Sequence, residues 1–325
     1  MPLGRPMRIC VTRRLPDAVE ARLARDYDAV FNEQDRPLSD GDLASALRHF
    51  DALVPTITDR LSADLLRAGD HRVRVIANYG AGVDHIDLQA ARAAGVAVTN
   101  TPGALTEATA ELALLLMLMA ARRAGEGERE LRAGDWTGWR PTHLIGQSLD
   151  RRLLGLVGFG RIAQSVARKA RALGMRICYF SRRPAPEEIA VALDAARMPR
   201  LEALLAAADV VSLHVPGGAE THHLIDRARL AQLRPTAILI NTARGPVVDE
   251  RALAEALGTG QIAAVGLDVY ENEPRVTPEL LACERAVLLP HLGSATIEAR
   301  TAMGMQAADN LDAFFAQRSP PDRVA

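Results

Sequence analysis

A glycine-rich loop between an apolar run and a helical segment constrains the fold of this chain more than any other feature. The run Leu153–Val157 leads into Gly158-Phe159-Gly160, and helical apolar spacing extends from Arg161 to Leu173. The first glycine permits a tight turn, and the second lets backbone N–H groups approach a pyrophosphate at the helix N-terminus. Ala163 replaces the third glycine and is still small enough for close helix–strand packing. The loop therefore predicts a β-α-β unit of a dinucleotide-binding sheet.

Strand-like and helical segments alternate along the chain in two series. Short apolar runs, typical of buried parallel strands, are joined by segments with helical apolar spacing. The predicted strands of the first series are Arg8–Thr12, Ala52–Pro55, Val73–Asn78 and Val96–Thr99, and those of the second are Leu153–Val157, Arg176–Phe180, Val210–Val215, Ala237–Asn241, Ala263–Leu267 and Ala286–Leu289. This pattern predicts an α/β fold with two doubly wound parallel-sheet domains.

The last amphipathic helix, Thr296–Phe315, is long enough to pack back onto the first series. Such a return would make the first domain discontinuous. We therefore predict a flavodoxin-like substrate domain of residues 1–103 plus 291–325, into which a Rossmann cofactor domain of residues 104–290 is inserted. The tail from Ser319 is proline-rich, and we expect it to be frayed.

Composition excludes several classes of function. The net charge is -1 and the arginines are scattered, so neither nucleic acid nor a membrane is an expected partner. The longest apolar run, Leu112–Ala121, is about half the length of a membrane span. Residues 1–5 run directly into a strand-like segment and contain no apolar stretch typical of a signal peptide, so we expect none. The widely spaced Cys10, Cys178 and Cys283 predict reduced thiols, no metal site and a cytoplasmic protein.

The segment after Arg176–Phe180 bears on the choice of nucleotide. An NAD site usually carries Asp or Glu there, about 20 residues beyond the loop, to accept hydrogen bonds from the ribose 2′-hydroxyl. This chain has Ser181, Arg182 and Arg183 instead. A carboxylate would repel a 2′-phosphate, whereas arginine can bind it through two N–H groups. We predict that NADP(H) is preferred and NAD(H) is possible; the alternative is that the arginines are solvated surface residues.

Three polar clusters follow apolar runs in the last third of the chain. They contain Arg244, Glu273 and His291. Ligand sites of open α/β sheets lie beyond the carboxyl ends of the strands, so we expect these side chains around one crevice. A fixed cation can grip the carboxylate of a 2-keto acid, an imidazole can protonate its carbonyl oxygen, and a carboxylate can keep that imidazole charged. The combination predicts a reductase of 2-keto acids.

Several further motifs occur in order between Ile76 and Met303. They are residues 78–87 (NYGAGVDHID), 99–102 (TNTP) and 106–113 (TEATAELA). With the loop and the three clusters, they resemble the D-isomer-specific 2-hydroxyacid dehydrogenase family, and within it the glyoxylate/hydroxypyruvate reductases. The first seventy residues match only in pattern.

The resemblance implies roles for individual residues. Arg244 would bind the substrate carboxylate and carbonyl, and Glu273 would pair with the proton-exchanging His291; Glu271 competes with Glu273, and only motif position separates them. Ala81 and Gly82 would offer N–H groups to the substrate carboxylate, although a simple strand-ending turn has the same composition. The predicted cofactor contacts are Gly158, Phe159, Gly160, Arg161, Ile162, Ser181, Arg182, Arg183, His214, Val215, Pro216, Thr242, Ala243, Asp268 and Gly293. Asp268 could equally cap the turn that follows it.

Trp136 and Trp139 resemble part of the arm by which such enzymes dimerise, so a homodimer is expected; plain core packing is the alternative. The leading prediction is NADPH-preferring reduction of glyoxylate or hydroxypyruvate to the D-2-hydroxy acid. Phosphoglycerate and phosphite dehydrogenases are alternatives within the family. Formate dehydrogenases carry glutamine at the position of Glu273, which disfavours them. A dinucleotide-sensing, corepressor-like binding protein is an alternative of another class.

Overall fold

The computed structural model describes residues 6–325 of the chain; residues 1–5, for which the sequence predicts no signal peptide, lie outside the described residues. The chain divides into two compact units. Unit 1 comprises Met1–Leu105 and Ser294–Ala325, and unit 2 comprises Thr106–Gly293. Their roles as substrate and cofactor domains stay predictions.

Strands and helices alternate along both units. The strands are β1 (Arg8–Val11), β2 (Asp28–Phe31), β3 (Ala52–Val54), β4 (Val75–Ala77), β5 (Ala97–Thr99), β6 (Leu153–Val157), β7 (Arg176–Phe180), β8 (Ala195–Arg197), β9 (Val210–Leu213), β10 (Ile238–Asn241), β11 (Ala264–Leu267) and β12 (Ala286–Leu288). The helices are α1 (Asp17–Asp26), α2 (Asp40–His49), α3 (Ala63–Arg67), α4 (Leu88–Ala93), α5 (Thr106–Arg122), α6 (Ala124–Ala133), α7 (Arg161–Ala172), α8 (Glu187–Ala192), α9 (Leu201–Ala207), α10 (Arg227–Leu230), α11 (Glu250–Gly258), α12 (Pro278–Leu281) and α13 (Ile297–Phe315).

Unit 1 is built on a five-stranded parallel sheet with the order β2-β1-β3-β4-β5, which is the flavodoxin-like order. The helix α13 packs against α1 so closely that a Cβ on Gly304 would lie 2.4 Å from Val19 Cγ1. Tyr79 Oη also donates to the Arg300 carbonyl at 2.7 Å. The return of α13 makes unit 1 discontinuous in sequence.

The C-terminal tail is ordered, and the expectation that it is frayed was wrong. The Val324 N–H donates to the Val98 carbonyl at 2.8 Å, and the Val98 N–H donates to the Ala325 carbonyl at 3.1 Å. Asp322 accepts hydrogen bonds from the side-chain amides of Gln306 and Asn310. Although the prolines interrupt pairing, the residues after them bind the open edge of β5.

Unit 2 is built on a seven-stranded parallel sheet with the order β12-β11-β10-β9-β6-β7-β8. The chain enters at β6 and builds outward in both directions, so the strand order reverses between β6 and β9. Open sheets of this type bind ligands beyond the carboxyl ends of the strands at that reversal. The helix α5 covers one face, where a Cβ on Gly266 would lie 2.9 Å from Leu116 Cβ.

Some local expectations differ from the structure. The short edge strands β2 and β8 were not predicted. The helix α6 was not predicted either, and it has no buried residue. All three cysteines are free, and burial raises the pKa of Cys10 and of Cys178 to about 11. Within residues 6–325, no helix combines the length and apolarity needed to cross a membrane.

Candidate active site

Three neighbouring strand ends of unit 2 carry the predicted catalytic side chains. Arg244 follows β10, Glu273 follows β11 and His291 follows β12. These strands are adjacent and parallel in the sheet. Since the carboxyl ends of parallel strands share one edge, the fold places the three side chains at the same edge of unit 2.

The loops after β10 and β11 are in direct backbone contact. A Cβ on Gly245 would lie 1.8 Å from the Tyr270 carbonyl oxygen. No side chain larger than hydrogen fits there, so glycine at this position sets the spacing between the two loops.

Glu273 and His291 form a hydrogen-bonded pair. His291 Nδ1 lies 2.8 Å from Glu273 Oε2, and the Tyr270 N–H donates to Glu273 Oε1 at 3.0 Å. His291 has a φ of +54° in the left-handed region, which is costly for a residue with a side chain. Its N–H is held by the Asp268 carbonyl at 2.9 Å. Because Nδ1 faces the carboxylate, Nε2 is the ring nitrogen available to a substrate.

The carboxyl group of Glu273 remains ionised at neutral pH. Burial acts to raise its pKa, but the hydrogen bond and charge of His291, the Tyr270 N–H and the charge of Arg244 together bring that pKa below its ordinary 4.5. An ionised carboxylate stabilises an imidazolium at its side.

The competing residue Glu271 has other partners. Its Oε1 lies 2.8 Å from His223 Nε2, and its N–H donates to Glu250 Oε2 at 2.8 Å. The geometry therefore separates Glu271 from Glu273, which sequence position alone does not.

Asn241 fixes the loop that presents Arg244. Its Oδ1 accepts the Ala243 N–H at 3.0 Å, and its Nδ2 donates to the Arg244 carbonyl at 2.9 Å. The guanidinium Nη1 donates to the Ala243 carbonyl at 2.7 Å. Thr242 Oγ1 is buried and has no hydrogen-bond partner within the described residues, so it can serve a ligand. Asn241 was not among the predicted site residues, because an asparagine ending a strand gives no distinctive signal.

The Asp268 side chain caps the turn after His291. The alternative taken from the sequence was a cap on the turn directly after Asp268, so the side chain does act as a cap, but on a turn more than twenty residues away. Its Oδ1 accepts the Leu292 N–H at 2.6 Å, and its Oδ2 accepts the Gly293 N–H at 2.8 Å. Burial is the main reason that the pKa of Asp268 is raised, although both backbone N–H groups and His291 act to lower it. Thr109 Oγ1 donates to the Gly293 carbonyl at 2.9 Å, which ties this turn to α5.

The glycine-rich loop has the geometry of an anion cradle. Gly158 has a φ of +88°, and a Cβ there would lie 2.4 Å from the His214 carbonyl oxygen. Gly160 occupies the N-cap position of α7 without a side-chain hydrogen bond, and no atom of residues 6–325 outside its immediate neighbours lies within 4 Å of where its Cβ would be. Open space at an uncapped helix N-terminus fits a pyrophosphate. Arg161 and Ile162 begin the helix, whereas the ring of Phe159 is buried and stacks on Tyr179, so only its backbone can reach a ligand.

The two arginines after β7 differ in their surroundings. Arg182 forms an ion pair with Glu220, and their side chains are 77% and 78% exposed. Arg183 is exposed and has no ion-pair or hydrogen-bond partner for its side chain within residues 6–325. Ser181 Oγ donates to the Arg183 carbonyl. Arg197, which the sequence did not single out, donates to the Ser181 carbonyl at 3.4 Å and adds a third guanidinium to this edge.

The segment after β9 forms a wall beside the glycine-rich loop. His214 Nε2 lies 2.9 Å from Ser212 Oγ, and burial lowers the pKa of His214 to about 4. The ring is therefore neutral at physiological pH. Val215 and Pro216 follow it, and the Pro216 carbonyl accepts a hydrogen bond from Thr221 Oγ1 at 2.7 Å.

Ala81 and Gly82 belong to unit 1, in the turn after β4. The side chain of Asn78 donates to the carbonyls of Gly80 and Gly82, and that of Asn100 donates to the Ala81 carbonyl at 2.7 Å. Within the described residues, the N–H groups of Ala81 and Gly82 have no protein acceptor. The turn thus presents unused donors, as a carboxylate site requires.

Two other features lie apart from these residues. A cavity of about 360 Å³ in unit 2 is lined by Met119, Arg123, Glu126, Ile145, Gln147 and Arg285, and by none of the predicted site residues. Trp136 and Trp139 are 51% and 82% exposed, which excludes the alternative that they pack in the core of this chain.

The sequence and the fold are both similar to known proteins. The sequence model of "D-isomer specific 2-hydroxyacid dehydrogenase, NAD binding domain" matches residues 114–293. Glyoxylate reductases from Thermococcus litoralis and Aeropyrum pernix are 42% and 44% identical to this chain; each match covers 98% of this chain, and 96% and 95% of the respective relative. The chain belongs to this family.

A solved structure supports the same relationship. An NADPH-dependent glyoxylate/hydroxypyruvate reductase from Sinorhizobium meliloti, in complex with NADP and malonate, superposes with a TM-score of 0.88 at 35% identity. The match covers 99% of this chain and 98% of that structure. The present protein is thus an oxidoreductase of 2-keto and 2-hydroxy acids that uses a nicotinamide cofactor.

Proposed function

We propose that the protein reduces glyoxylate or hydroxypyruvate to the D-2-hydroxy acid and prefers NADPH. The observation that carries this proposal is the Glu273–His291 pair, 2.8 Å apart, at the sheet edge that also bears Arg244. A fixed cation and a tethered imidazole are what reduction of a 2-keto acid requires.

Each of the three side chains has a defined task. Arg244 binds the planar carboxylate and carbonyl of the substrate through its guanidinium fork. His291 donates a proton from Nε2 to the carbonyl oxygen, and the ionised Glu273 keeps the imidazole charged and oriented. When bound, the nicotinamide supplies a hydride to the 2-carbon. In the oxidative direction, the neutral imidazole takes the proton back.

The residues of the glycine-rich loop fit the nucleotide. The N-terminus of α7 and the loop from Gly158 to Ile162 would hold the pyrophosphate. Arg183, with Arg182 and Ser181, would bind the 2′-phosphate that distinguishes NADPH. Support comes from the free, exposed guanidinium of Arg183 and from the lack of a carboxylate at residues 181–183.

We assign substrate binding in unit 1 to the backbone of Ala81 and Gly82. Both N–H groups lack protein acceptors within the described residues, while their carbonyls are held by asparagine side chains. This pattern favours recognition of an anion by the turn.

A kinetic panel tests the proposal. Purified protein is assayed for oxidation of NADPH, and separately of NADH, with glyoxylate, hydroxypyruvate and pyruvate. We expect turnover with glyoxylate or hydroxypyruvate, a higher kcat/KM with NADPH, and almost none for Arg244→Ala. Absence of turnover with all three acids would contradict the activity, and a higher kcat/KM with NADH would contradict the cofactor preference.

We also propose a cytoplasmic homodimer. The three free cysteines favour a reducing compartment. Exposed apolar side chains at Leu131, Trp136, Trp139 and Ile145 lie within a short stretch of the chain and favour an interface. Sedimentation analysis of Trp139→Arg against the parent protein tests this: the parent should sediment as a dimer and the variant should dissociate.

A further inference from the structure

Unit 2 contains a cluster of three side chains with metal-binding atoms that the reaction does not use. It consists of His222, His223 and Glu271, and one ligand atom from each lies within 4.8 Å of the others. The two imidazole rings stack with centroids 4.0 Å apart. His223 and Glu271 are partly buried, and His222 is exposed.

The backbone holds this cluster in place. His223 has a φ of +48°, and its N–H donates to the Pro246 carbonyl at 2.7 Å. The Glu271 N–H donates to Glu250 Oε2 at 2.8 Å, and Glu250 is itself buried. Residues separated by 271 − 223 = 48 positions are therefore brought together by anchored loops rather than by one flexible segment.

The chemistry of the three side chains selects a class of ion. Two imidazole nitrogens and one carboxylate oxygen suit zinc and similar late transition metals and leave a position for water. Magnesium and calcium prefer sites made of oxygen alone. His223 Nε2 and Glu271 Oε1 form a hydrogen bond of 2.8 Å. A tetrahedral zinc ion between them, with bonds of about 2.0–2.2 Å, would require the two atoms to lie roughly 3.4 Å apart, which a small side-chain movement can provide.

We propose that His222, His223 and Glu271 bind one divalent transition-metal ion, of which zinc is the best match, and that the ion stiffens the loop bearing Glu273. Glu271 lies two residues before Glu273 in that loop. Pro246, which accepts the hydrogen bond from His223, lies two residues after Arg244. An ion in this cluster is thus connected to both loops of the catalytic edge. Any effect of this link on catalysis rests on the proposed function, but the metal site and the stiffening of the loop do not.

Binding is tested on the full chain, without an affinity tag, by calorimetric titration with zinc and by the absorption spectrum of bound cobalt. We expect one zinc ion per chain and at least a tenfold weaker affinity in His222→Ala. This variant should retain the fold, because His222 is exposed and stacks only on its neighbour. Glu271→Gln should weaken binding as well.

His49→Ala is the matched control, since His49 is an exposed histidine of α2 in unit 1. It should bind zinc as the parent protein does, and magnesium should not bind to either. Equal zinc affinity in the parent and His222→Ala, or no saturable binding in the parent, would overturn the site.

Stiffening is measured by amide hydrogen exchange of residues 270–273 with and without zinc. Exchange should slow in the parent protein and stay unchanged in His222→Ala. Zinc binding that leaves this exchange unaltered would overturn the coupling. Neither measurement requires turnover, so a failure of the reductase assay is a separate result.

Discussion

The two ends of the seven-stranded sheet in unit 2 hold their functional side chains differently. Beyond β10, β11 and β12, backbone and side-chain hydrogen bonds fix each group: Asn241 braces the loop of Arg244, the Tyr270 N–H binds Glu273, and Asp268 caps the turn of His291. Beyond β7, the exposed Arg182 contacts only the equally exposed Glu220, and the side chain of Arg183 extends without a partner within the described residues.

The two regions differ in how firmly their side chains are held because the proposed reaction makes different demands on them. Proton transfer requires atoms held within hydrogen-bond reach in one orientation. Recognition of a phosphate requires positive charge, and a mobile guanidinium on the surface can supply it. Substitutions in the loops after β10, β11 and β12 should therefore lower the rate of the chemical step. Substitutions in the loop after β7 should change only the preference between NADPH and NADH.

The largest effect is expected for His291→Asn. The variant keeps a polar side chain but has no acidic proton to transfer at neutral pH. The kcat for glyoxylate reduction should therefore fall about 10³-fold, which corresponds to a rise of about 4 kcal/mol in the activation free energy. Steady-state kinetics with saturating NADPH measure it. His49→Asn serves as the control and should keep the parent rate. A fall of less than tenfold would show that another group donates the proton.

Glu273→Gln should have the next largest effect. The amide retains the shape but not the charge that stabilises the imidazolium, so kcat should fall by about 10- to 100-fold near pH 7.5. The loss should shrink only as the pH falls below 4.5, because the pKa of Glu273 lies below that value and the parent protein then also loses the carboxylate charge. The pH profiles of kcat for the variant and the parent protein provide the measurement. Parallel profiles would argue that the carboxylate only positions the ring.

Arg183→Ala tests the region beyond β7. We expect kcat/KM for NADPH to fall about tenfold, close to 1.4 kcal/mol, while that for NADH changes little. Arg182→Ala is the matched control; its effect should be smaller, since its guanidinium is shared with Glu220. An equal loss with both nucleotides would mean that Arg183 does not read the 2′-phosphate.

The last expected effect is on stability rather than on catalysis, and it concerns His214, which follows β9 between the two regions. Its pKa is lowered to about 4 by burial, so the folded chain keeps the ring neutral while the unfolded chain binds a proton below about pH 6.5. The free energy of unfolding should therefore decrease as the pH falls from 6.5 to 4. Allowing for partial contact with solvent, the decrease is about 2 kcal/mol.

This decrease is measured by urea unfolding without nucleotide across the pH range. The side chain of Asn cannot be protonated in this pH range, so in His214→Asn the decrease in the free energy of unfolding should be smaller by the contribution of His214. In His49→Asn the decrease should match that of the parent protein. The same pH dependence in His214→Asn and the parent would contradict the assignment.

The two regions were not equally visible in the sequence. Arg244 and His291 stand out because they lie shortly after buried strands, whereas Glu273 is distinguished from Glu271 only by its position in the family motif. Asn241 and Tyr270, which hold them, were missed, since a strand-ending amide and a buried aromatic ring are common everywhere. The cluster of His222 and His223 with Glu271 depends on contacts between distant loops, and no local pattern reports it.

The fold was predictable where periodicity was strong. The buried strands of both sheets and the helices α7 and α13 follow from apolar spacing. β2 and β8 were missed because they are short edge strands with exposed residues, such as Asp28 and Arg197, that weaken the signal. α6 was missed because no residue of it is buried, so it has no apolar stripe to detect. The tail was misread because its order depends on pairing with β5, which no local composition encodes.

The contact between Gly245 and the Tyr270 carbonyl has a practical consequence for engineering. Chimeras with family members should inherit the segment from Asn241 to His291 from a single parent, because a crossover within it would combine loops that did not evolve to touch. Directed evolution of substrate range has more freedom in the loops of unit 1. Saturation mutagenesis at Gly245 would yield inactive clones at nearly every codon, and such a library would measure how much backbone movement the reaction tolerates.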